Sequence, residues 1–121
     1  MSEFLRKIGS VTVLGTALSG CATSPVELMT STPYMVYTSK KSPHLVARCI
    51  DGKWEDARIL GGSNYVDTKE VDAGIRVTQR IDGDLHLVAL VADQDMGSQT
   101  QLWIYRTIGR LKQFDDVKRC Q

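Results

Sequence analysis

The chain has 121 residues, with 15 Lys or Arg, 14 Asp or Glu and a formal net charge of +1. That length suits one domain. Charges of both signs are interspersed along it, so it lacks the clustered basic surface from which nucleic-acid binding draws its affinity, and nucleic acid is excluded as a partner.

The first element is a leader. Arg6 and Lys7, offset by Glu3, precede an apolar run from Ile8 to Leu18 that is too short for a bilayer core, which needs about 20 residues, but suits the h-region of a secretory signal. Leu18-Ser19-Gly20-Cys21 then resembles the lipobox of bacterial lipoproteins, in which leucine, two small residues and cysteine stand in order. The resemblance covers the leader alone. It implies that residues 1–20 are a signal peptide, that the Cys21 thiol receives a diacylglyceryl group, and that cleavage before Cys21 frees an amine for further acylation. Two or three chains would make membrane residence effectively permanent. Ala22 stands where an aspartate would favour the inner membrane, so the expected location is the outer membrane, facing the periplasm. Loss of residues 1–20 removes Glu3, Arg6 and Lys7 and leaves a formal balance of zero.

With Cys21 lipidated, Cys49 and Cys120 are left as a pair in an oxidising compartment, and a disulfide is the economical reading. Closing so long a loop is worth about 4 kcal/mol in the chain-entropy model. A redox or metal-binding pair is the alternative, but no Cys-x-x-Cys and no histidine cluster accompanies it.

Residues 21–41 are rich in Ser, Thr and Pro and read as a tether, with 42–121 as the periplasmic domain. Within the tether, Tyr34-Met35-Val36-Tyr37 is less polar and is expected to dock as an edge strand rather than meet a partner. Ser42-Pro43 begins a helix, with Ser as cap and Pro in the first turn. Leu45, Val46, Cys49 and Ile50 make its apolar stripe, and Gly52 is expected to end it.

Ala57–Leu60 is a candidate short strand, followed by a turn at 61–64 and an uncertain strand over Tyr65–Val71. Gly74–Ile81 alternates Ile75, Val77 and Gln79 against Arg76, Thr78 and Arg80, the period of a strand with one buried face. Asp82-Gly83 signals a two-residue type I′ hairpin, whose register would pair Ile81 with Asp84, Val77 with Val88 and Ile75 with Leu90. Leu85–Ala92 is apolar on both faces and therefore central. A turn at Asp93–Ser98 leads to a strand over Gln101–Thr107. Leu111, Phe114 and Val117 suggest a short helix before Cys120. The sum is an α+β domain, an antiparallel sheet of three to four strands packed against one or two helices.

Chemistry is sparse. His44 and His86 are far apart, have no zinc-binding spacing and read as surface histidines. Asp82 with Asp84, and Asp93 with Asp95, flank turn glycines; Ile104 stands where a calcium loop would need glutamate. No nucleophile elbow or phosphate loop is present, so no enzyme, cofactor or metal is expected. Trp103 and Tyr105 share a strand face. They either cover the core, the more ordinary arrangement, or form one accessible patch for a partner.

The expected role is thus a non-enzymatic accessory or adaptor of the cell envelope, anchored by lipid and contacting an envelope protein through an edge strand or the aromatic pair. An inhibitor of a cell-wall hydrolase such as lysozyme is the alternative, and Asp93–Ser98 is its candidate plug.

Overall fold

A computed structural model of the chain describes residues 23–56, 62–106 and 112–121. The leader, Cys21 and the candidate strand at 57–60 lie outside the described residues, as does Leu111. The elements in order are α1 (Pro25–Leu28), β1 (Met35–Ser39), α2 (Pro43–Glu55), β2 (Asn64–Val71), β3 (Gly74–Ile81), β4 (Asp84–Gln94), β5 (Gly97–Ile104) and α3 (Lys112–Arg119). The strands form one antiparallel sheet in the order β1-β5-β4-β3-β2. The domain is therefore α+β with five strands, not three to four. The added strand is β1, because Tyr34–Tyr37 does pair along β5.

β4 is buried from Leu85 to Val91, so both faces of the sheet must be covered. One face packs under α2 and α3, where Val46, Ala47, Ile50, Trp54, Val117 and Cys120 meet Ile75, Val77, Leu87, Ala89, Val91 and Leu102. The other face presents Leu85, Val88, Leu90 and Trp103, with Leu28 and Met29 of the N-terminal segment packed against them. Ser24 caps α1 in a capping box with Glu27, and the Trp103 indole N–H donates to the Ser31 carbonyl at 2.8 Å. The segment expected to hold the domain away from its anchor thus lies on the domain from Ser24 onward. Its apolar residues are few, but they meet an apolar sheet face that has no other cover among the described residues.

Helix α2 begins as expected, with Ser42 accepting from the Leu45 amide, but runs through Gly52 to a cap at Asp56. Trp54, fully buried, continues the stripe past the glycine. Leu45 is 55% exposed and lies off the stripe, which instead uses Val46, Ala47, Ile50 and Trp54. At its C-terminal end, Gln79 Nε2 donates to Asn64 Oδ1, and Asn64 Nδ2 donates to the Trp54 carbonyl, so one polar chain joins α2, β2 and β3. A Cys49–Cys120 disulfide ties α2 to the end of α3, with a Cα–Cα distance of 5.7 Å.

The β3–β4 hairpin turns at Asp82 and Gly83, both at positive φ as a type I′ turn requires. Ile81 pairs with Asp84 as expected. Beyond it, an irregularity between Gln79 and Arg80 slips the register by one, so Val77 pairs with Ala89 and Ile75 with Val91. The slip puts Leu87, Ala89 and Val91 on the α2 face and Val88 and Leu90 on the other. The next strand starts at Gly97, not Gln101, and ends at Ile104, because β4 and β5 pair up to Gln94–Gly97.

Two glycines make opposite predictions. Gly52 has open space around it on an exposed helix surface, so Gly52→Ala is expected to stabilise by about 0.5–1 kcal/mol. A Cβ on Gly97 would collide with the Ser39 carbonyl of β1, so Gly97→Ala is expected to destabilise by about 1–3 kcal/mol. Thermal unfolding of the oxidised protein checks both; a Gly97→Ala variant as stable as the native chain would contradict the close approach of β1 at this end, and a destabilised Gly52→Ala would contradict the open helix surface.

Candidate functional site

The two edges of the sheet differ. β2 carries Asp67, Lys69 and Glu70 among its eight residues, charges of the kind that discourage strand addition. β1 has no charged residue and no proline between Met35 and Ser39. Met35 and Val36 are 42% and 47% exposed, and Tyr34, just before the strand, is 57% exposed. The inner side of β1 is held firmly. Tyr37 packs on the core, and its phenol is pushed up by burial, then by Tyr34 and Asp115. Ser39 Oγ donates to the Gln121 carbonyl, and the Tyr34 amide donates to the Leu102 carbonyl at 2.7 Å. Tyr34 also leans on Phe114 of α3, with ring centroids 5.6 Å apart. The outcome is a short, uncharged edge, tied on its inner side to β5 and α3 and followed by Lys40 and Lys41.

A second feature is an open groove of about 480 Å³ between α2 and β2, lined by His44, Arg48, Asp51, Glu55, Thr68 and Glu70 over a floor of Ala47, Gly52 and Ile75. Thr68 Oγ1 donates to Asp51 Oδ2, and His44 Nε2 stands 3.5 Å from Glu70 Oε2. A hydrogen bond with Asp51, then its charge, raises Glu55 above the usual carboxylate range. His44 and Glu70 are largely exposed, so their attraction is screened and weak. The groove arises because α2 presents His44, Arg48, Asp51 and Glu55 at helical spacing beside β2. Sequence reading missed it, since contact between Asp51 and Thr68 depends on how the helix crosses the sheet.

Of the residues singled out from sequence, Trp103 takes the more ordinary of its two expected places, in the core, while others depart from expectation. Trp103 is 3% exposed, covered by the N-terminal segment, while Tyr105 lies beyond the strand end, 39% exposed, with Arg106 over its ring at 5.6 Å. They do not form a common accessible patch, because α1 and the chain after it close over the indole. Asp93–Ser98 is not a protruding loop: pairing continues to Gln94 and Gly97, leaving Asp95 and Met96 as the turn, with Met96 at φ 63. Asp93, Gln94, Asp95 and Met96 are all exposed at this turn, Met96 to 91%. His44 is on the surface as expected. His86 is not; it is 8% exposed at the β4 irregularity, where its carbonyl accepts from the Tyr105 and Arg106 amides.

No protein-family model, no curated protein and no solved structure matches this chain. Among the described residues no group of acidic, histidine and cysteine side chains is arranged to hold a metal, and no helix is long and apolar enough to cross a membrane.

Burial pushes His86 below the ordinary imidazole range, Arg106 adds to this, and Asp84 and Asp82 oppose it. The unfolded chain therefore takes up a proton near pH 6.5 that the folded chain resists, and the folded protein loses stability as pH falls through that value. Glu55 acts in the opposite sense closer to pH 4.5. Denaturant unfolding between pH 8 and 5.5 is expected to show the decline in the native chain and a flatter profile in His86→Gln; parallel profiles would contradict it.

Proposed function

We propose that this chain is a lipid-anchored, non-enzymatic accessory of the bacterial envelope, held at the outer membrane on the periplasmic side by an acylated Cys21. Its domain acts as an adaptor that accepts an extended segment of another envelope protein along β1. The observation that carries this reading is the asymmetry of the sheet: one edge bears three charges, and the other is uncharged, begins with the exposed Met35 and Val36, and is braced from behind by Phe114 and Gln121. Backbone hydrogen bonds would supply the affinity of such an added strand, and Met35 and Val36 the side-chain contacts. A partner donating the strand would also cover an edge that otherwise invites self-association.

The lipobox resemblance of Leu18-Ser19-Gly20-Cys21 supports the anchor. The Cys49–Cys120 bond supports an oxidising compartment, since such bonds persist outside the reducing cytosol. A hydrolase inhibitor needs a projecting loop, whereas strand pairing runs to Gln94 and Gly97 and leaves a two-residue turn at Asp95-Met96, so the adaptor reading is preferred.

The test has two arms. Intact mass of the protein purified from envelopes should begin at Cys21 and carry bound acyl chains. A photoreactive residue placed at Val36 should give one discrete protein adduct in intact cells, lost in Met35→Lys, whereas the same probe at Thr68 on the other edge should give none. Equal labelling from both edges, or a mature chain that begins elsewhere, would overturn the reading.

A further inference from the structure

We propose that the α1 face of the sheet docks directly on the phospholipid headgroups around the anchor, with basic and tyrosine side chains of β2, β3 and the end of β5 meeting lipid phosphate. This rests on the reading of Cys21 as lipidated.

The link between anchor and domain is short. Only Ala22 and Thr23 separate Cys21 from Ser24, the residue that caps α1 against the sheet. Fully extended, three residue steps span roughly 11 Å. The headgroup layer is itself about 5–8 Å deep on each side of the hydrocarbon. A leash that short is used up in crossing the headgroups, so the domain is held close to the bilayer with the surface around Thr23 nearest to it, and side-chain contacts decide whether that surface docks.

That surface has the chemistry for the contact. Thr23 lines a small cavity, about 90 Å³, with Arg80, Asp84, Tyr105 and Arg106. Register places Tyr65 opposite Arg80 and Lys69 opposite Arg76 on the same face, since Arg80 and Arg76 in turn stand opposite Leu85 and Leu90 beneath the N-terminal cover. Like charges directly across a strand pair repel each other, and an anion between them relieves the repulsion. The Nε of Arg76 is buried without a hydrogen-bond partner. Tyr65 and Tyr105 are 59% and 39% exposed, and tyrosine favours the membrane–water interface. Asp67, Asp84 and Glu27 lie on this side too. Arg106 is paired with Asp84 at 3.5 Å, so the attraction is local to Lys69, Arg76 and Arg80 rather than a net field.

The test uses the full acylated protein, extracted in detergent and reconstituted in vesicles of phosphatidylethanolamine with phosphatidylglycerol. Hydroxyl-radical footprinting then reads side-chain exposure. Tyr65 and Tyr105 should lose reactivity about fivefold on moving from micelles to vesicles, the scale of one basic contact with an anionic surface, while Tyr34 on β1 is unchanged. Lys69→Glu with Arg80→Glu should restore the micelle level of labelling at Tyr65. Acylated protein whose tyrosines react equally in both settings would overturn the docking and leave the anchor standing. Absence of acyl mass would overturn both. Protection that rises with protein density at fixed lipid would assign the face to a second copy and overturn the membrane contact.

Discussion

A central strand that is apolar on both faces is the constraint from which the rest of this fold follows. Leu87, Ala89 and Val91 point to one side of β4, and Leu85, Val88 and Leu90 to the other. Burying a large aliphatic side chain is worth about 1.5–3 kcal/mol, so leaving either set in water would remove a large part of a small domain's stability. Helices α2 and α3, joined through Cys49–Cys120, cover one side. On the other side, Leu28 and Met29 take the place that a further helix would fill, and the Trp103–Ser31 hydrogen bond fixes the strap that carries them.

The strap has two consequences for function. It leads the chain across the sheet to the β5 edge, where Met35–Ser39 becomes the end strand, whose outer side pairs with no other strand among the described residues. It also brings the point of entry, Thr23, against Arg80 and Arg106. The proposed anchor at Cys21 and the proposed adaptor edge at β1 lie on one short stretch of chain, so a partner strand bound at β1 would be held close to the membrane. The groove between α2 and β2 lies on the opposite side of the sheet from α1, with weak, solvent-screened pairs such as His44–Glu70.

Much of this was legible from residue pattern. The alternation of Ile75, Val77 and Gln79, the Asp82-Gly83 turn, the two-faced apolar run of β4 and the Ser42-Pro43 helix start are local signals, and each occurs where it should. Signals that fail are those that depend on distant partners. Gly52 looked like a stop but is carried inside α2 by the burial of Trp54 beyond it. The β3–β4 register shifts by one at the Gln79/Arg80 irregularity, which no turn rule could anticipate. The Ser-Thr-Pro composition of 22–41 suggested a free tether, yet Ser24-Pro25-Val26-Glu27 is a capping box written in sequence and could have been read. Trp103 was visible as a candidate contact, but what covers it comes from 72 positions away.

The account stands on residues 24–39 being a structural layer, and comparison of Leu28→Ala with Val26→Ala tests this most directly. Both residues lie on α1, but Leu28 packs on the second sheet face whereas Val26 is 62% exposed. Urea unfolding should show a loss of about 1–2 kcal/mol for the half-buried leucine and a change within about 0.5 kcal/mol for the valine. Two variants as stable as the native chain would mean that the segment contributes no packing, and the account would fail.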